Sequence, residues 1–85
     1  MQIVYIIQND FSKEIYIGTT SNLKNRLKNH NSGGNKSTKR KDGKWVLIYA
    51  EAFRIKEDAI IREDKLKHHG SAKRVLYNRI KSSFL

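Results

Sequence analysis

Two β-branched and aromatic runs, Ile3–Ile7 and Ile15–Ile17, flank the polar heptapeptide "QNDFSKE" at 8–14. That arrangement predicts an antiparallel hairpin. A third run, "WVLIYAEAF" at 45–53, is the strongest strand signal in the chain. The 85 residues leave room for one hydrophobic core and no second lobe, so the remaining segments must cover this sheet. The whole span 1–85 therefore reads as one domain. With the hairpin turn centred between Asp10 and Phe11, Tyr5 faces Tyr16 as a direct cross-strand pair, about 4.5–5.5 Å apart at Cβ.

Helical periodicity fills the rest. Ser21 is placed to cap a helix running to Asn31, with Leu23 and Leu27 as its apolar stripe and "SGG" at 32–34 as its stop. At about 100° per residue Arg26, His30, Leu23 and Leu27 fall in that order within a narrow arc, so Arg26 and His30 sit beside the core stripe. A second helix spans 55–69 and is closed by Gly70. Ser71 caps a third, in which Leu76, Ile80 and Phe84 recur every four residues. The predicted fold is α+β: a three-stranded antiparallel sheet flanked by helices, in the order β-β-α-β-α-α.

Charge narrows the function. Eighteen Lys and Arg against eight Asp and Glu give +10, and seven basic residues but no acidic one lie between Ile15 and Lys41. Lys24, Lys28, Lys36, Lys39, Arg40 and Lys41 form this stretch with Arg26, and "NKSTKRKDGK" at 35–44 reads as an exposed basic loop. Such density points to a polyanion bound through phosphates, most often nucleic acid. A merely solvated basic surface is the ordinary alternative. No apolar run approaches the ~18 residues of a membrane span, no signal peptide is apparent, and no basic amphipathic helix carries bulky aromatics on one face. A membrane partner is not expected, and the cytoplasm is the expected location. The absence of cysteine excludes disulfides, thiolate chemistry and zinc–thiolate clusters.

On the second helix Ile55, Ala59, Ile60 and Leu66 define an apolar stripe, and Glu63 falls inside it, about 40° from Ala59 and about 60° from Leu66. Burying a carboxylate there is unfavourable by several kcal/mol unless something compensates, roughly. A structural ion pair, for instance with Arg26, and a metal ligand or catalytic acid are both open at this point. The other polar groups have ordinary readings too: a half-buried strand tyrosine, a snorkelling arginine, a structural histidine. His68 and His69 are adjacent, so on a helix they diverge and cannot chelate one ion; they read as cations favoured at a helix C-terminus.

Taken together, Tyr5, Tyr16, Arg26, His30 and Glu63 are groups that phosphodiester hydrolysis uses. The reaction needs an activated water, a cation on the phosphate and help for the leaving oxygen. Arg26 suits the phosphate. A single carboxylate, Glu63, suits one Mg²⁺ or Mn²⁺ ion that keeps several waters, and it argues against a two-metal site. A tyrosine is a poor base unless nearby cations favour its phenolate.

"IVY" at 3–5, "YIG" at 16–18, "LKNRLKNH" at 23–30 and "AIIREDKLK" at 59–67 resemble, in order and in register, the GIY-YIG nuclease domain. The resemblance is closest to small stand-alone members related to the N-terminal nuclease module of the bacterial excision-repair protein UvrC. It implies a divalent-metal-dependent endonuclease. Tyr5 and Tyr16 match the tyrosines of the two motifs, and Gly18 the glycine that turns the backbone towards the phosphate. Arg26 matches the catalytic arginine, His30 the histidine or tyrosine four residues later, and Glu63 the metal-binding carboxylate. Ile3 stands where the first motif has glycine. Asn78, in "LYNRI", is a weak match to a late asparagine of many members.

DNA rather than RNA is what the resemblance implies as substrate, since a basic surface attracts both. With no appended recognition domain, selectivity would be low, would depend on DNA structure, or would come from a targeting protein partner. The competing reading is a non-catalytic basic nucleic-acid-binding module on the same fold. The intact set of five side chains favours the nuclease, because binding alone needs neither Glu63 nor the two tyrosines.

Overall fold

The computed structural model describes residues 1–34, 38 and 42–85. Its central strand β1 (Gln2–Asn9) is buried on both faces from Val4 onward, which explains why "VYII" is continuously apolar instead of alternating. β2 (Ile15–Thr20) and β3 (Trp45–Phe53) pair antiparallel on either side of it, giving the order β2-β1-β3. A register shift at Ile6/Ile7 puts Tyr49 opposite Ile6 and Leu47 opposite Ile7, a β-bulge in the β3 edge. Helices α1 (Leu23–Asn31), α2 (Lys56–His68) and α3 (Gly70–Arg79) complete the expected order, followed by a short 3₁₀ turn at Lys81–Ser83.

The sheet separates two cores. One face buries Val4, Ile6 and Ile17 against Ala59 and Leu66 of α2 and Leu76 of α3. The other buries Tyr5, Ile7 and Trp45, with Leu23 and Leu27 of α1 packed against them. The chain end is tied to the sheet, since the Leu85 amide donates to the Gln8 side chain at 2.8 Å.

Several expectations shift in detail. The hairpin turn is organised by Asn9, whose side-chain oxygen accepts from the amides of Phe11 and Ser12, both at 2.9 Å. Lys13 then takes a left-handed φ of 67° to re-enter the sheet. The turn is thereby centred between Phe11 and Ser12. Tyr5 lies opposite Gly18, and Tyr16 opposite Ile7, so the two tyrosines are diagonal rather than directly paired. Because the register moves by two, both still share a face.

Asn22, not Ser21, caps α1, accepting from the Asn25 amide at 3.1 Å. Gly70 opens α3 instead of closing α2; His69 alone separates the two helices, and no Ser71 cap bond forms. On α2, Ile55 and Ile60 are exposed, at 39% and 47%, and the buried stripe is Ala59 and Leu66. Among the described residues, no helix is long and apolar enough to cross a membrane.

Candidate active site

Tyr5 is the hub of the α1 face. It is 0% exposed, and its hydroxyl lies 2.7 Å from His30 Nε2 and 3.4 Å from Arg26 Nε. Arg26 can only donate, so it supplies one N–H to the Tyr5 oxygen. The Tyr5 proton, having no solvent, takes His30 Nε2 as its acceptor. That assigns the single ring proton of neutral His30 to Nδ1, which donates to Thr38 Oγ1 at 3.0 Å. His30 is itself 2% exposed. Burial and then the neighbouring Arg26 charge lower its pKa, which keeps it in the neutral form this chain requires.

Burial raises the Tyr5 pKa; the Arg26 hydrogen bond works against that shift, and the charges of Tyr16 and Glu63 add to it. Tyr5 is therefore a neutral phenol around pH 7, not a phenolate. The cation that could have ionised it is outweighed by desolvation. Arg26 is held in its charged form chiefly by the Tyr5 hydroxyl, with a smaller contribution in the same direction from Tyr16.

Tyr16 stands differently. It is half-buried, its ring 6.2 Å from that of Tyr5 and edge-on to His30 at 4.8 Å. Room for the two phenols comes from Gly18. A Cβ there would lie 2.5 Å from the Tyr5 hydroxyl oxygen, 2.7 Å from its Cζ and 2.9 Å from Tyr16 Cε1. Gly18 is thus a mid-strand residue that clears space for the tyrosines, not a turn.

The position of α1 depends on its ends. Asn31, its last residue, brackets the first residue of β3: its Nδ2 donates to the Trp45 carbonyl at 3.0 Å, and its Oδ1 accepts from the Trp45 amide at 2.8 Å. His30 is therefore clamped by its neighbour to the far edge of the sheet. Thr38 is held by the same corner, accepting on its carbonyl from Trp45 Nε1 at 3.4 Å.

Glu63 belongs to α2, on the other face of the sheet, and its charge contributes to the raised pKa of Tyr5. Its carboxylate is 22% exposed and pairs with Lys67, Oε2 to Nζ at 2.9 Å; Arg26 is not its partner. Its Oε1 carries no hydrogen bond from any described residue. One accessible carboxylate oxygen next to a displaceable ammonium fits a hydrated Mg²⁺ or Mn²⁺ ion, which needs few protein ligands.

Tyr5, Tyr16, Gly18, Arg26 and His30 are thus brought together, whereas Glu63 on α2 bonds to none of them. Lys24 and Lys28 are exposed on α1. Lys36, Lys39, Arg40 and Lys41 lie outside the described residues. Asn78 is exposed on α3, and no bond joins it to the cluster. His68 pairs with Asp64 at 2.9 Å, and His69 lies outside the helices. The residues missed from sequence are Thr38, Lys67 and Asn31. Thr38 is a buried residue inside a stretch read as exposed, and nothing in the pattern marked it.

A sheet with a core on each face carries two tyrosines packed over a glycine, with an arginine and a histidine one helical turn apart beside them. The chain matches the GIY-YIG catalytic domain over residues 1–81 and belongs to that family of nuclease domains. It is 37% identical over 67 residues to UPF0213 protein CPE1444 of Clostridium perfringens, covering 79% of this chain and 71% of that protein. The solution NMR structure of UPF0213 protein BH0048 from Bacillus halodurans superposes with a TM-score of 0.56 at 30% identity, over 95% of this chain and 86% of that one.

Proposed function

We propose that this nuclease domain is a divalent-metal-dependent endonuclease acting on DNA, with Tyr16, Arg26 and Glu63 meeting the substrate. The observation that carries this reading is the difference in exposure between the two tyrosines. Tyr5, at 0%, cannot touch a water borne in from solvent, whereas Tyr16 is half-buried beside the same arginine. Tyr16 therefore orients the attacking water, and the remaining N–H groups of Arg26 hold the scissile phosphate. Tyr5, His30 and Thr38 form the chain that fixes Arg26: the Tyr5 proton points at His30, which leaves its oxygen lone pairs for the arginine.

Glu63 would hold the ion, with Oε1 as the open ligand; bound there, a Mg²⁺ or Mn²⁺ ion supplies positive charge for the oxygen that leaves. Lys67 occupies the other carboxylate oxygen in the meantime and limits the repulsion between Glu63 and bound phosphate.

Comparison of Glu63→Ala with the wild type tests the reading. The variant is expected to lose metal-dependent cleavage by at least about 100-fold, the scale of a removed charge-stabilising group. Its affinity for DNA, measured in EDTA, should stay within about twofold, since a phosphate-contacting surface of cations is left intact. Cleavage at the wild-type rate would remove Glu63 from the reaction.

A further inference from the structure

Beside the candidate active site, an open groove of about 280 Å³ runs along β2, lined by Ile15, Tyr16, Ile17, Lys67, Lys73 and Tyr77. Among the described residues β2 is an edge strand, paired on one side only. Two lysines, one on α2 and one on α3, line this edge, and no acidic residue is among the lining. Lys67 is committed to Glu63. Lys73 is partly buried and makes no ion pair among the described residues. Tyr77 is held in place by an edge-on contact with Phe84, ring centroids 5.0 Å apart, and offers a phenol O–H.

We propose that this groove is a second phosphate-binding subsite, which holds the nucleic-acid strand on one side of the phosphate being cut. The inference rests on the nuclease reading above and deepens it. Two residues connect the groove to the site. Tyr16 lines the groove and also packs on His30, while Lys67 lines it and also holds Glu63. An anion seated between Lys67 and Lys73 is therefore next to the reacting centre, where a continuing phosphodiester backbone must pass. The volume falls below the ~300–1,000 Å³ of small-molecule pockets, and the groove is open, which suits one segment of a polymer. Lysine binds phosphate as a point charge and needs no bidentate geometry.

The test measures binding of a fluorescein-labelled DNA duplex by anisotropy in EDTA, across a salt series, with the full chain. Lys73→Ala should weaken binding roughly three- to tenfold and reduce the slope of log K against log salt by about 0.9, one duplex phosphate contact. Lys73→Arg should restore both. Lys56→Ala, at the opposite end of α2, should change neither. Wild-type binding with an unaltered affinity and slope in Lys73→Ala overturns the groove and leaves the nuclease reading standing. A Lys73-dependent slope in a protein that never cleaves supports the groove and overturns the nuclease reading. No DNA binding by the wild type overturns both.

Discussion

Tyr5 and Tyr16 carry the same hydroxyl in unlike surroundings, because Gly18 lies opposite the first and Ile7 opposite the second. Packed over the glycine, Tyr5 is sealed and works through its partners. Its neighbour His30 turns that sealing into a pH dependence. The folded-state pKa of His30 is lowered by burial and by Arg26, whereas an unfolded histidine titrates near 6.5, roughly. As pH falls through that value the unfolded chain takes up the proton first. The stability contributed by neutral His30 is therefore complete above about pH 6.5 and is lost as pH falls towards the folded pKa. Urea denaturation at a series of pH values between 5 and 8 should show a stability loss in the wild type that His30→Gln lacks. Equal pH slopes in the two proteins would mean that His30 is not the group responsible. Protonation also costs Tyr5 its acceptor, so loss of Arg26 orientation should accompany the loss of stability.

At the scale of elements, the site depends on how α1 is fastened. Asn22 starts the helix, and Asn31 ends it with two hydrogen bonds to the buried Trp45. Replacing Asn31 by alanine strands a backbone N–H and C=O and should cost about 1–3 kcal/mol, read by thermal or urea unfolding. Rescue by Gln, whose side chain is one methylene longer, is not expected. An Asn31→Ala protein as stable as the wild type would show that the clamp carries no energy.

The same elements show what sequence could disclose. Strand and helix order followed from β-branched runs and from the four-residue recurrence of Leu23 and Leu27, since periodicity reflects burial directly. The recurrence of Leu76, Ile80 and Phe84 overran α3, which ends at Arg79 before a 3₁₀ turn. The hairpin register did not follow from sequence, because it was set by the Asn9 side chain shifting the turn by one residue. Face survived that error and pairing did not. Glu63 was legible as a carboxylate inside an apolar stripe. Its Lys67 partner was hidden by being one of many lysines, and Thr38 by lying among polar neighbours while being buried through tertiary contacts with His30 and Trp45.

For the whole molecule, the two-faced sheet explains how so small a chain builds a site. One face holds Tyr5 and Tyr16 against Arg26 and His30 of α1, and the other carries α2 with Glu63, whose charge adds to the raised pKa of Tyr5. Neither core alone supplies the set. The formal charge of +10 is consistent with the proposed polyanionic substrate, whose binding would then depend strongly on salt.

Nicking of supercoiled plasmid by the purified wild-type protein tests this assembly most directly. With Mg²⁺ or Mn²⁺ at moderate salt, nicked circles should accumulate with time, and EDTA should abolish them. No cleavage of DNA or RNA with either ion, or equal cleavage in EDTA, would contradict a metal-dependent endonuclease.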